Sequence, residues 1–228
     1  MKSRGHIFIF GVTFVISLFL PGSTSGMPLE NIITKIQDVY QGTRDFTADF
    51  VQESTLKSFN KTQVANGKIY FKNPGKLRWD YIGPTKQAIV TDGETLWMYL
   101  PEDKQVIINK LSKVYRTSTS TFFLMGMGNL KRDFDIQLVQ SPLGDEEKNY
   151  SLKLVPKEQQ SNFNDLFLLI DKKTFLVGEL YFNDFYGNFI RIKFKNSTTN
   201  QGLSDSVFLF DIPENVEIVE PPQIIQNQ

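Results

Sequence analysis

Apolar residues recur at every second position through one short segment of this chain after another, and that period constrains its fold more than any other feature. Phe46, Ala48 and Phe50 alternate with Thr47 and Asp49. Leu77, Trp79 and Tyr81 alternate with Lys76, Arg78 and Asp80. The same holds for Phe134, Ile136 and Leu138, for Tyr150, Leu152 and Leu154, and for Ile190, Ile192 and Phe194. Successive side chains of a strand point to opposite faces, so each segment reads as a strand with one apolar and one wet face. Turn signals separate the segments: Asn73-Pro74-Gly75, Gly83-Pro84, Asp92-Gly93, Pro101-Glu102-Asp103 and Tyr186-Gly187-Asn188. Asp-Gly between two apolar runs is a hairpin signature. The pattern predicts a mainly β (α+β) chain of about eleven or twelve strands in one antiparallel sheet or barrel. Most of these strands read as five to seven residues long, short of the ~9–11 needed to cross an outer membrane.

Two segments break the period. Leu29, Ile32, Ile33, Ile36 and Val39 recur at helical spacing, with Gly42 placed to end the helix. Ser118–Leu130 offers Ser/Thr caps followed by Phe122, Phe123, Leu124, Met125 and Met127, a short apolar helix. A sheet with one apolar face must cover it. Two short helices cannot easily fill so long a face. The sheet therefore either closes on a packed interior or curves around a cavity that the helices cover, one suited to an apolar ligand.

The N-terminus reads as an address. Residues 1–25 carry Lys2 and Arg4, an apolar run from Ile7 to Leu20, a Pro21-Gly22 break and small residues up to Ser25, the pattern of a cleavable secretory leader. Residues 26–220 then form a single domain and 221–228 a flexible tail. The whole chain has one His, His6, and no Cys. A cleaved chain would therefore lack disulfides, thiol nucleophiles, His-based triads and soft metal ligands, and no cofactor is expected. Lys+Arg and Asp+Glu tie at 25 each, without the basic stripe that nucleic acid requires.

Several runs carry a family pattern: FTADFVQ (46–52), KNPGKLRWDY (72–81), IVTDGETLWMYLPEDKQV (89–106), LFLLIDKKTFLVGEL (166–180), DFYGN (184–188) and FLFDIPENVEIV (208–219). The most specific is DG-x-x-LW-x-Y-x-P-x-x-x-Q, from Asp92 to Gln105. From about Leu29 to Val219 the chain resembles the LolA family of periplasmic outer-membrane lipoprotein carriers. The resemblance implies an incomplete β-barrel with a helical lid over an apolar cavity. It implies a periplasmic monomer that takes acylated lipoproteins from an inner-membrane lipoprotein-releasing ABC transporter and passes them to an outer-membrane acceptor. That acceptor shares the fold but is itself lipidated on a Cys, so a chain without Cys reads as the soluble carrier.

The expected cavity wall is Phe50, Leu77, Trp79 and Tyr81 from alternation, with Tyr70 and Ile89 added as positions matching the family's wall, and Trp97 as a further candidate. The run Leu96–Leu100 is apolar on both faces, so alternation alone does not side Trp97. Ile36 and Val39, with Phe122, Phe123 and Met125, would form the underside of the lid. Ordinary core packing is the competing reading for each of these residues. In the resembling carriers an Arg before the Pro of the K-x-P turn latches the lid. Here Asn73 takes that place, with a shorter side chain and fewer donors. Arg78 alternates to the face opposite Trp79, which argues against its replacing that Arg. Two other functions compete: an envelope-stress regulator or lipid-binding sensor on the same fold, and a carboxylate-based glycosidase.

Overall fold

A computed structural model describes residues 26–112, 129–158 and 163–219. Helix α1 (Leu29–Gly42) comes first. It is followed by β1 (Asp45–Leu56), β2 (Lys61–Lys72), β3 (Lys76–Gly83), β4 (Gln87–Thr91), β5 (Thr95–Leu100) and β6 (Gln105–Lys110). After a four-residue helix α2 (Leu130–Asp133) come β7 (Phe134–Leu138), β8 (Asn149–Pro156), β9 (Phe163–Asp171), β10 (Val177–Asp184), β11 (Phe189–Thr199) and β12 (Glu217–Val219). The strands make one sheet in the order β12-β6-β5-β4-β3-β2-β1-β11-β10-β9-β8-β7. Its two edges, β12 and β7, are not joined, so the barrel is open, as the resemblance implied.

Two hairpin turns are built by the residues that announced them. The Asp92 carboxylate accepts from the Glu94 and Thr95 amides at 2.8 Å each, and Gly93 takes a φ of +106°. Asp184 accepts from the Tyr186 and Asn188 amides around Gly187. An Asx side chain that mimics backbone in this way closes a tight turn without a further element.

Two expectations fail. Several strands are long: β1 and β2 have 12 residues, β11 has 11 and β9 has 9. Alternation fades at their far ends, where Lys61–Val64 is wholly exposed, so the apolar period undercounted them. Strand length therefore does not separate this sheet from a membrane barrel, but the polarity of its faces does. The sheet is also not wholly antiparallel, because β12 pairs with β6 in parallel (Ile218 with Val106).

Cross-strand partners share a face, so the register sorts the residues. One face carries Phe46, Ala48 and Phe50 of β1, Ile69 and Phe71 of β2, Leu77 and Trp79 of β3, Ile192 of β11, Leu180 of β10, Leu166 and Leu168 of β9 and Leu152 and Leu154 of β8. All of these are buried in one cluster with Ile32, Ile33, Ile36 and Tyr40 of α1. The other face carries ion pairs: Lys68 with Asp49 at 3.1 Å, Lys193 with Glu53 at 2.9 Å, and Arg191 with Glu179 at 3.0 Å. An outer-membrane barrel is apolar outside and polar inside; this sheet is the reverse.

Helix α1 lies on the inner face and is tied down at both ends. The Lys131 ammonium pairs with Glu30. The Val177 amide donates to the Tyr40 hydroxyl at 3.0 Å, and Asn73 Nδ2 donates to the Thr43 carbonyl at 2.6 Å. The expected second lid helix lies outside the described residues except for its last two, Asn129 and Leu130. Leu130, fully buried, opens α2 behind an Asn129 cap that accepts from the Arg132 amide.

Candidate functional site

The middle of the inner face is a group of rings made by neighbouring strands. Phe50 meets Trp79 edge to face at 5.1 Å between ring centroids, and meets Tyr81 at 5.0 Å. Trp79 lies parallel to Tyr81 at 6.3 Å and edge-on to Phe194 at 6.3 Å. One glycine makes this possible. Gly67 stands opposite Phe50 on β1 and Tyr81 on β3, so the Phe50 ring leans over bare backbone. Edge-to-face rings at these distances contribute about 0.5–1.5 kcal/mol beyond their burial.

Away from these rings the inner face stays apolar but is less covered. Register continues from Trp79 to Ile89 on β4, Met98 on β5 and Ile107 on β6, all half-buried. On the other flank Phe194, Ile190 and Phe182 are half-buried against the same core. No inner-face position of β1 to β6 is Asp or Glu, so that half of the face lacks the carboxylate pair that glycoside hydrolysis needs. Among the described residues there is also no cluster of three His, Cys, Asp or Glu side chains able to hold a metal.

Polar groups on this face are few. Tyr81 donates its hydroxyl to Gln52 Oε1 at 2.9 Å, and Gln52 Nε2 donates to the Ser54 hydroxyl at 3.1 Å. Burial pushes the Tyr81 phenol up to about 12. The Thr91 hydroxyl accepts from the Gly93 amide at 3.1 Å. One group stands apart: Trp79 Nε1 is buried with no hydrogen-bond partner. A buried donor without an acceptor costs about 1–3 kcal/mol, which the burial and ring contacts of Trp79 can absorb.

Ile36, Phe50, Leu77 and Trp79 lie in the buried cluster, and Tyr81 and Ile89 pack against its edge. Val39 is half-buried on α1. Phe122, Phe123 and Met125 lie outside the described residues. Tyr70 and Trp97 are corrected to the opposite face. Tyr70 pairs with Arg78, between the inward Ile69 and Phe71, and Trp97 pairs with Val90 and Ile108. Trp97 sits in a run apolar on both faces because the chain after β11 crosses the outer face and covers it there. Along this strap Lys72 and Lys76 hold Asp205, Arg78 donates to the Val207 carbonyl at 3.3 Å, and Phe210 packs on Trp97 and Tyr99. Arg78 is thus on the outer face, paired with Asp80 at 2.7 Å, as its alternation required. Phe194, Met98, Ile107 and Gln52 were missed as site residues. The Asp-Gly hairpin, by pairing Ile89 with Met98, held the signal for Met98.

Comparison with known proteins agrees with this geometry. The family model described as outer membrane lipoprotein carrier protein LolA matches residues 41–211. The outer-membrane lipoprotein carrier protein of Methylococcus capsulatus is 31% identical over 187 residues, 82% of this chain and 86% of that protein. The protein of the same description from Nitrosomonas europaea is 32% identical over 174 residues, 76% of this chain and 82% of its own. In fold, the chain is similar to an uncharacterized conserved protein from Thermus thermophilus, with a TM-score of 0.53 at 16% identity over 84% of this chain and 98% of that one.

Proposed function

The chain belongs to the LolA family of outer membrane lipoprotein carriers, and from that premise we propose that it is a periplasmic carrier that holds lipoprotein acyl chains against its inner face. The observation that carries the reading is the inverted polarity of an open sheet. Its apolar face is turned inward and only partly covered, at Tyr81, Ile89 and Phe194, while ion pairs occupy the outside. Such a face offers apolar area to an acyl chain.

The energetics suit a carrier. Each buried CH₂ is worth about 0.8 kcal/mol, so a chain of about fifteen gains on the order of 12 kcal/mol gross on leaving water. Two or three chains exposed in water would drive aggregation or return to a membrane. The half-buried flanks let the cargo leave, because a site closed like the rest of the core would retain it. In this reading the leader at 1–25 exports the chain to the periplasm. An inner-membrane lipoprotein-releasing ABC transporter loads it, an outer-membrane acceptor unloads it, and it works as a monomer. Asn73 ties the loop before β3 to the C-terminal end of α1 and so takes the place of the family's latching Arg with a single bond.

The test is to purify the exported protein from its native envelope. Co-purified triacylated lipoprotein, and protection of added lipoprotein from aggregation, are the expected results. A protein that arrives empty and leaves added lipoprotein to aggregate would overturn the reading.

A further inference from the structure

We propose that the Trp79 indole N–H is a donor held for the cargo: it binds an ester or amide carbonyl at the head of an acyl chain, so the site reads the linkage as well as the apolar length. This rests on the inner face being the acyl site. Trp79 is 7% exposed, and its Nε1 is the one buried side-chain polar atom left without a partner among the described residues. The polar groups around it are already committed. Tyr81 is bonded to Gln52, Gln52 to Ser54, and Thr91 to the Gly93 amide. The rings packed on Trp79 are those of Phe50, Tyr81 and Phe194, which offer at most a weak N–H···π contact.

An indole N–H can only donate. In an apolar surround, a ligand that brings an acceptor relieves the cost of the bare donor, and a ligand of equal length without one does not. Trp79 stands in register with Ile89 and then Met98, the half-buried positions from which a chain would approach. A lipoprotein's acyl chains end in ester and amide carbonyls, whereas a plain hydrocarbon has none. The donor would therefore separate acyl cargo from other apolar molecules, which ring packing alone does not do.

The test uses the leaderless protein and two probes: a synthetic triacylated lipopeptide and diphenylhexatriene, a hydrocarbon with no polar atom. Trp79→Phe keeps a ring and removes the donor. It is expected to weaken the lipopeptide about tenfold more than it weakens diphenylhexatriene. The unmodified protein gives a second readout. Its only two tryptophans, Trp79 and Trp97, lie on opposite faces. Lipopeptide should move the Trp79 indole proton downfield in the NMR spectrum and leave that of Trp97 in place, and diphenylhexatriene should move neither downfield. Equal loss of both probes in the variant, or a Trp79 resonance that ignores bound lipopeptide, would overturn the inference while leaving the carrier reading intact. Failure of the unmodified protein to bind either probe would overturn both. Should the variant fail to fold, the NMR result on the unmodified protein decides.

Discussion

Single residues decide how the ring cluster is built. A Cβ at Gly67 would lie 1.9 Å from the Asp80 carbonyl oxygen and 2.7 Å from Phe50 Cε1. The first contact is backbone and cannot rotate away, so Gly67→Ala should lose about 2–3 kcal/mol of stability in urea unfolding. A variant as stable as the parent would contradict the close approach. Asn73 is a milder case. Asn73→Ala removes the bond to the Thr43 carbonyl, and about 1 kcal/mol of stability with it. If Asn73 also serves the latch, lipopeptide release from this variant should be faster in stopped-flow measurements, and an unchanged release rate would remove Asn73 from that role. Of these residues, Leu77, Trp79 and Tyr81 were legible from the sequence because charged residues alternate with them. Gly67 was not, because its reason for being glycine is a carbonyl on another strand.

Among the elements, α1 and β3 each carry a buried phenol with alkaline consequences. Burial raises the Tyr40 hydroxyl far above its ordinary value, against a smaller opposing effect of the Val177 amide that donates to it, and raises Tyr81 to about 12 from 10.0. Below pH 10 folded and unfolded chains both keep these protons, and the contribution is intact. Between about pH 10 and 12 the unfolded chain releases them and the folded chain does not. Stability should then fall by about 1.4 kcal/mol per pH unit for each group, and Tyr81→Phe should flatten part of that slope. Chemical unfolding between pH 9 and 11.5 checks it, and a slope unchanged by Tyr81→Phe would contradict it. Legibility among the elements was uneven for a physical reason. Helix α1 and the hairpins rest on contacts close in sequence, through period, Gly42 and Asp92-Gly93. The strap over the outer face rests on contacts such as Arg78 with Val207 and Trp97 with Phe210, more than a hundred residues apart. It lies on β3 and β5 from behind, at Arg78, Trp97 and Tyr99, and so erases the alternation that would have placed Trp97.

For the whole molecule, the consequence is one curved sheet with ion pairs on its outer face and the Phe50–Trp79–Tyr81 rings on its inner one, left open between β7 and β12. The Lys68–Asp49 pair is well solvated, so Lys68→Ala should leave stability and cargo binding unchanged; a lost cargo would show that the outer face takes part. The central claim is that acyl chains lie on the inner face, and adjacent residues of opposite facing test it most directly. A photoactivatable residue would be placed singly at Ile89 or Met98, which face inward, and at Tyr70 or Trp97, which face outward. Each protein would then be irradiated with bound triacylated lipoprotein. Crosslinks to the acyl portion at positions 89 and 98 and none at 70 and 97 are the predicted result. Equal crosslinking on both faces, or crosslinks confined to 70 and 97, would contradict the account.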